Sequence, residues 1–339
     1  MPYDALTLTN MLRYWHPVLR STAVSRNRVA QVRIGGSPIA VFRSSDGRVS
    51  AVADQCAHRR MTLSRGRVDG ERLICPYHGW SYGADGAGHS PGTPRLQACV
   101  ESYDCEEALG WIWLRGRHGD AALTAPAADN MRFAGAVFSP VAAPLEIVMD
   151  NFSEVEHTVS LHPDFGFDRE HADQASMVLD ATAESFAVRC DGPAKMPPID
   201  TRIAGGIRRG DRFHAEFTFR FDPPRSAVRH FWYAAEGERP RRIEYRLVHY
   251  FVPADDANTI VVTFAFLDIR RALFPVLAPA VNWLFRRKLH GAVEEDAAIL
   301  EHLADQSTTL DGMKLGRFDR TLGLTRERLD RIYYGTTAD

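Results

Sequence analysis

From about Val29 to Leu114, polar and apolar residues alternate in short runs: RVAQVRI, PIAVFRS, RVSAVAD and, later, GWIWLRG. Gly35-Gly36 and Asp46-Gly47 separate the first three. A period of two, rich in β-branched and aromatic residues and broken by Gly or Asp-Gly, predicts strands joined by tight turns. The result is a small all-β domain with Trp111 and Trp113 in its packing. Arg117 to Asn130 is polar and rich in Ala and Pro, which predicts a connection. Beyond it, FAVRCDG, FHAEFTFRFDP, RRIEYRLVHYFVP and VVTFAFLDI predict antiparallel strands. Helices are predicted over Glu146 to Leu161 and from about Leu289 to Gln306. Strands in one run with helices before and after predict an α+β domain, with helices on one face of a curved antiparallel sheet.

One segment departs from these periods. Ala272 to Phe285, ALFPVLAPAVNWLF, is apolar apart from Asn282 and lies between Arg270-Arg271 and Arg286-Arg287-Lys288. It is too short to span a bilayer as a helix, and Pro275 and Pro279 interrupt it. The alternatives are a buried or half-buried helix, and an apolar cover or membrane-surface contact flanked by basic residues.

Length and charge bound the rest. A chain of 339 residues predicts two domains, placed at 1–125 and 126–339. With 25% charged residues and a net charge of −2, nothing points to nucleic acid. The opening MPYDALTLTNMLRYWHPV has no signal-peptide pattern, and no stretch predicts a transmembrane segment. Five cysteines, of which Cys99, Cys105 and Cys190 form an odd remainder, argue against a disulfide framework and for a reducing cytoplasm.

The other two cysteines carry the chemistry. Cys56-Ala-His58-Arg59 and Cys75-Pro-Tyr-His78-Gly-Trp80 each offer one thiolate and one imidazole. A Rieske [2Fe-2S] cluster places two cysteines on one iron and two histidines on the other, so two such loops can hold it. A Cys2His2 zinc site more often groups Cys with Cys and His with His. Gly66, Gly70 and Gly79 are expected to supply the turns around these ligands. A second pattern, Asn151-x2-Glu154-x2-His157-x4-His162, lies in LEIVMDNFSEVEHTVSLHPDFGFD. Steps of three place Asn151, Glu154 and His157 on one helical stripe. Pro163 pushes His162 out of the helix, so that it can turn back toward His157. Two imidazoles and one carboxylate on Fe(II) leave positions open for dioxygen.

The segment CAHRRMTLSRGRVDGERLICPYHGWSYGADG, within cluster hairpins at about 54–82, and the 151–162 pattern together resemble the Rieske non-haem iron oxygenases. The compact length is closest to the trimeric branch that contains phthalate oxygenase and vanillate O-demethylase. The resemblance implies a terminal oxygenase alpha subunit: an all-β Rieske domain, then a helix-grip (START/Bet v 1-like) catalytic domain. It implies one [2Fe-2S] cluster on Cys56, His58, Cys75 and His78, and one mononuclear Fe(II) per chain with O2 as co-substrate. His157 and His162 would bind that iron. The third ligand would come from a late helix of the form Asp-x3-(Ile/Leu)-Glu, which selects Asp296 in HGAVEEDAAILEHLADQ, with Glu295 as the neighbouring alternative.

By the same resemblance Glu154, where most relatives have aspartate, would bridge His78 of one subunit to His157 of the next in a homotrimer, with Glu156 the alternative bridge. Asn151 would stand behind the iron ligands or cap the helix. Electrons would come from NAD(P)H through a partner reductase or ferredoxin, since no nicotinamide fingerprint is present. The reaction implied is monooxygenation of a small organic substrate, by C–H hydroxylation or oxidative O- or N-demethylation, in a pocket lined by stretches such as Val228 to Tyr233 and Val261 to Phe266. Aromatic cis-dihydroxylation and a plain electron carrier or redox sensor are the alternatives.

Overall fold

The computed structural model describes residues 3–336 apart from 129, 236, 238–239 and 270–273. Arg270, Arg271 and the first two residues of the Ala272 to Phe285 segment therefore lie outside the described residues. The chain forms two compact units, Met1–Ala125 with Val252–Asp256, and Pro126–Phe251 with Ala257–Asp339.

The first unit starts with α1 (Ala5–Met11), capped by Asp4, whose carboxylate accepts the Thr7 N–H at 2.7 Å. Six antiparallel strands follow the order β1-β11-β10-β4-β3-β2: β1 (His16–Arg20), β2 (Arg28–Ile34), β3 (Ser37–Arg43), β4 (Val49–Ala53), β10 (Ser102–Ala108) and β11 (Trp111–Gly116). A meander of very short strands is inserted after β4: β5 (Arg67–Asp69), β6 (Arg72–Ile74), β7 (Ser81–Tyr82), β8 (Ala87–His89) and β9 (Ala98–Cys99). Ala40, Phe42, Val52, Leu63, Leu73 and Tyr82 form a core that also includes Cys56 and Cys75. Trp111 and Trp113 are buried, as their alternation predicts.

The second unit is the α+β arrangement expected. Seven antiparallel strands run in the order β12-β18-β17-β16-β15-β14-β13: β12 (Arg132–Val141), β13 (Ser176–Ala181), β14 (Ser185–Pro193), β15 (Arg212–Phe221), β16 (Pro224–Tyr233), β17 (Pro240–Pro253) and β18 (Thr259–Ile269). On β15 every second residue, Phe213, Ala215, Phe217, Phe219 and Phe221, is buried. At about 1.5–3 kcal/mol for each buried aromatic, this row anchors the sheet. The inward row of β16 reads Pro224, Ser226, Val228, His230 and Trp232, so it presents polar groups to the interior. Short α2 (Leu145–Ser153) and α3 (Ile199–Gly205) flank the sheet strands in sequence. C-terminal α5 (Leu322–Arg328) packs on α2, where Arg326 Nη2 lies 2.7 Å from Asp150 Oδ2.

Two helix boundaries differ from expectation. The predicted helix over Glu146 to Leu161 stops at Ser153. Glu154 is extended (φ −109°, ψ 161°), and a 3-10 turn covers Glu156–Val159. The cause is local: the Glu154 carboxylate accepts the N–H groups of Glu156 (2.5 Å) and His157 (3.2 Å), which competes with helix continuation. The predicted Leu289 to Gln306 helix instead begins far earlier, as α4 (Phe274–Glu301), 28 residues long. Pro275 falls in its first turn, where an N–H has no helical partner to lose, and Pro279 is accommodated within the helix. Residues Val281, Phe285, Leu289, Ala292 and Asp296 recur at helical spacing along one cavity-lining stripe, so the apolar segment and the acidic segment are one element. Among the described residues no helix is long and apolar enough to cross a membrane.

Candidate metal centres

The two Cys/His loops of the first unit share one plan. Cys56 N–H donates to Met61 O (2.9 Å) and Arg60 N–H to Cys56 O (2.9 Å). In the same way Cys75 N–H donates to Trp80 O (2.7 Å) and Gly79 N–H to Cys75 O (3.2 Å). The residue four past each cysteine takes a positive φ, 56° at Arg60 and 71° at Gly79. Glycine does this freely, whereas arginine carries a cost of about 1–2 kcal/mol. Gly70 (φ 59°) turns β5 into β6. Gly66 corrects the expectation for that residue: its φ is −84°, and glycine is needed there because a Cβ would stand 2.1 Å from Ile74 O.

Cys56 and Cys75 are buried at the loop bases, and His58 and His78 are exposed at the rim. The two imidazole centres are 4.6 Å apart, and His58 stacks on Trp80 at 4.9 Å with planes 7° apart. Tyr82 Oη accepts the Ala57 N–H (3.0 Å) and lies 3.1 Å from Cys56 Sγ, leaving its own hydrogen for the sulfur. Just before the first loop, buried Asp54 accepts from Ser64 N–H (2.6 Å), Ser64 Oγ (2.7 Å) and Gln31 Nε2 (2.5 Å). Two sulfurs and two imidazoles presented by paired loops are the donor set a Rieske cluster requires.

In the second unit His157, His162 and Asp296 place one donor atom each within 4.8 Å of one another. His157 comes from the 3-10 turn, His162 from the segment after it, and Asp296 from α4. The two rings are nearly perpendicular (84°), and their Nε2 atoms lie 3.7 and 3.2 Å from Asp296 Oδ1. That oxygen is buried and makes no hydrogen bond. An uncompensated buried carboxylate oxygen facing two imidazole nitrogens fits a divalent cation, and two histidines with one carboxylate fit non-haem Fe(II). Both Nδ1 atoms are turned to carboxylates: His157 to Glu154, and His162 to Glu295 Oε2 at 3.0 Å. Such outer carboxylates fix the ring tautomer and orientation. Glu295, the alternative ligand by sequence, thus holds the far side of His162.

Sequence reasoning missed Lys195. Its ammonium donates to the carbonyls of Thr158, Val159 (3.2 Å) and His162 (2.6 Å), clamping the segment between the two histidines. The distance in sequence leaves no spacing signal to find it. Charge-assisted hydrogen bonds are worth about 1.5–3 kcal/mol each. Lys195→Met is therefore expected to weaken iron retention roughly tenfold while the visible spectrum of the cluster stays unchanged, measured by chelator competition; wild-type retention would remove the clamp.

The triad lines a cavity of about 490 Å³ together with Asn151, Phe165, Val228, His230, Trp232 and His249. Asn151 Nδ2 is buried without a hydrogen-bond partner. His230 Nδ1 pairs with Tyr245 Oη (2.9 Å) and His249 Nδ1 with Thr263 Oγ1 (2.8 Å). Burial pushes both histidines down to about 3, so both are neutral near pH 7. The expected lining stretch Val228 to Tyr233 supplies alternate residues. Val261 to Phe266 does not line the cavity, where β18 contributes Leu267, because its apolar side chains are consumed in core packing.

A β unit with paired Cys/His loops, followed by a sheet-and-helix unit with a His/His/Asp triad, defines the class of Rieske non-haem iron oxygenase alpha subunits. Residues 14–104 match the Rieske [2Fe-2S] domain. Residues 141–330, more than half the chain, match the vanillate O-demethylase oxygenase C-terminal domain, and the chain belongs to that family.

Methylxanthine N1-demethylase NdmA of Pseudomonas putida is 32% identical over 198 residues, 54% of this chain and 56% of that protein. The vanillate O-demethylase oxygenase subunit of Pseudomonas sp. (strain HR199 / DSM 7063) is 35% identical over 140 residues, 38% and 39% of the two chains. The aligned stretches thus span about half or less of these relatives. Dicamba monooxygenase bound to 3,6-dichlorosalicylic acid has the same fold, with a TM-score of 0.78 at 16% identity over 95% of this chain and 97% of that one.

Proposed function

We propose that this chain is the terminal oxygenase component of a reductase-dependent monooxygenase system in the cytoplasm. Residues 1–125, joined by 252–256, form the cluster domain, and the remainder of 126–339 the catalytic domain. Cys56 and Cys75 hold one iron of the [2Fe-2S] cluster, and His58 and His78 the other. His157, His162 and Asp296 hold the mononuclear iron, which when bound supplies the activation of dioxygen. The carrying observation is that this triad opens directly into a mostly apolar cavity. Glu154 and Glu295 orient the imidazoles, and Asn151 offers an unused N–H beside them. Neutral His230 and His249 add no charge to the wall.

The substrate class follows from the lining. Lys288 is engaged by Asp164 (2.7 Å) and Asp200 (2.9 Å), and Arg287 is exposed, so among the described residues the buried wall keeps no free cation for an anionic substrate. A small neutral apolar or aromatic compound fits. Similarity to an N1-demethylase and an O-demethylase favours hydroxylation of a C–H bond or oxidative loss of a methyl group over dihydroxylation. An NAD(P)H-dependent reductase or ferredoxin supplies electrons. The exposed rim position of His78 supports their passage to Glu154 of the next chain in a homotrimer.

Metal content tests the reading first. About three irons and two sulfides per chain are expected from one cluster plus one Fe(II); about two irons with a normal cluster spectrum would leave only an electron carrier. Substrate-dependent oxygen uptake with a surrogate reductase, followed by mass analysis for a gained oxygen or lost methyl group, then identifies the reaction.

A further inference from the structure

The open side of the catalytic cavity carries a surface that the oxygenase reading does not use. Pro163, Asp200, Leu284 and Arg287 are the exposed members of the cavity lining and mark its mouth. There α3 turns Asp200, Thr201 and Ala204 toward the cavity. This leaves Ile199 and Ile203, one turn apart on the opposite face, 64% and 61% exposed, with Met196 just before them at 39%. α4 joins the same rim, because Lys288 Nζ lies 3.0 Å from Thr201 Oγ1 and 2.9 Å from Asp200. About one turn earlier, Trp283 and Leu284 are 55% and 43% exposed, and the Arg287 guanidinium lies 5.8 Å over the Trp283 ring. Large apolar side chains collected on two joined helices around one opening differ from the scattered exposure of an ordinary surface.

Among the described residues this face carries more basic than acidic side chains. Beside α3 a hollow is lined by Arg202, Arg208, Arg241 and Arg242, with no acidic side chain among the described residues of its lining. Arg241 is held by Asp211. The rim acids Asp164 and Asp200 are both engaged by Lys288. Isoleucines and a tryptophan set among arginines match the interfacial zone of a bilayer, where indole rings sit at headgroup depth and basic side chains meet phosphate. A second copy docking by the same face would bring the arginines against one another.

We propose that this face seats the enzyme on an anionic lipid bilayer. The α3 isoleucines and Trp283 enter the interface, the arginines meet lipid phosphates, and the cavity mouth faces the lipid phase. Docking does not depend on the assignment of the reaction, so the two readings fail separately.

The test is co-sedimentation of the iron-loaded protein with vesicles of phosphatidylcholine alone and of phosphatidylcholine with phosphatidylglycerol. Binding is expected to the anionic vesicles, to fall with added salt, and to weaken about fivefold for each of Arg202→Ala and Arg208→Ala. The pair Ile199→Asp and Ile203→Asp should abolish it at unchanged iron content. In the unsubstituted protein the tryptophan emission should shift to the blue on anionic vesicles, and Trp283→Phe should remove that shift. Absence of sedimentation with anionic vesicles at low salt overturns the proposal. So does binding that the isoleucine pair leaves untouched, or a change of oligomeric size in that variant with no change in vesicle binding, which would assign the face to a second copy of the chain.

Discussion

Asp296→Ala is expected to lower iron from about three to about two per chain while leaving the cluster's visible and electron paramagnetic spectra unchanged. Asp296 Oδ1 is the carboxylate atom that both Nε2 atoms face, and it has no hydrogen bond of its own. Without it two imidazoles remain, too few to hold Fe(II) in the presence of competing water. Oxygen uptake coupled to substrate should fall by more than the roughly 100-fold that changes in outer partners reach. The apo chain should meanwhile melt no lower than the unsubstituted apo chain, because the substitution deletes a buried carboxylate that is costly when uncompensated. Glu295→Gln provides the contrast. Glu295 touches the far nitrogen of His162, so this change should weaken iron binding about tenfold without abolishing it. Full iron in Asp296→Ala together with loss in Glu295→Gln would exchange the two assignments.

That contrast also shows where the sequence is readable. The donor types and their spacing name the residues that converge, because metal chemistry restricts ligands to a few side chains. Register along α4 is what separates Asp296 from Glu295, and it depends on a stripe reaching back to Val281. Pro275 and Pro279 hid this continuity, since proline reads as a breaker unless its place in the first turns is known. The end of α2 was hidden for the opposite reason: steps of three do suit a helix, yet the Glu154 carboxylate captures two N–H groups and stops it. Strands β5–β9, two or three residues each, are shorter than any period can register. On β16, Ser226 and His230 occupy inward positions and break the apolar alternation that marks β15. Arg60 takes a glycine-like φ of 56° that only the loop's hydrogen bonds impose.

Glu154→Gln is expected to keep all three irons and yet slow single-turnover oxidation of the reduced cluster about 10- to 100-fold. One carboxylate oxygen faces His157 Nδ1, and the other accepts the Glu156 and His157 N–H groups. The side chain remains 15% exposed, so its outer edge is reachable by a donor from outside the chain. A carboxylate accepts at both oxygens, while an amide accepts at one and donates at the other. Glutamine therefore keeps an acceptor for only one of these local contacts and puts an N–H2 where the other oxygen stood, and it loses the acceptor that the proposed His78 of a neighbouring chain requires. The separation of two readouts decides the role. If Glu154 merely positions His157, iron affinity and electron delivery should fall together. If it carries the contact between metal centres, delivery should fall at full iron occupancy. Glu156→Gln supplies the control: Glu156 is exposed, its N–H rather than its carboxylate meets Glu154, and its replacement should leave both readouts unchanged. Single-turnover kinetics of Glu154→Gln equal to those of the unsubstituted protein, at equal iron, would take this residue out of the electron path.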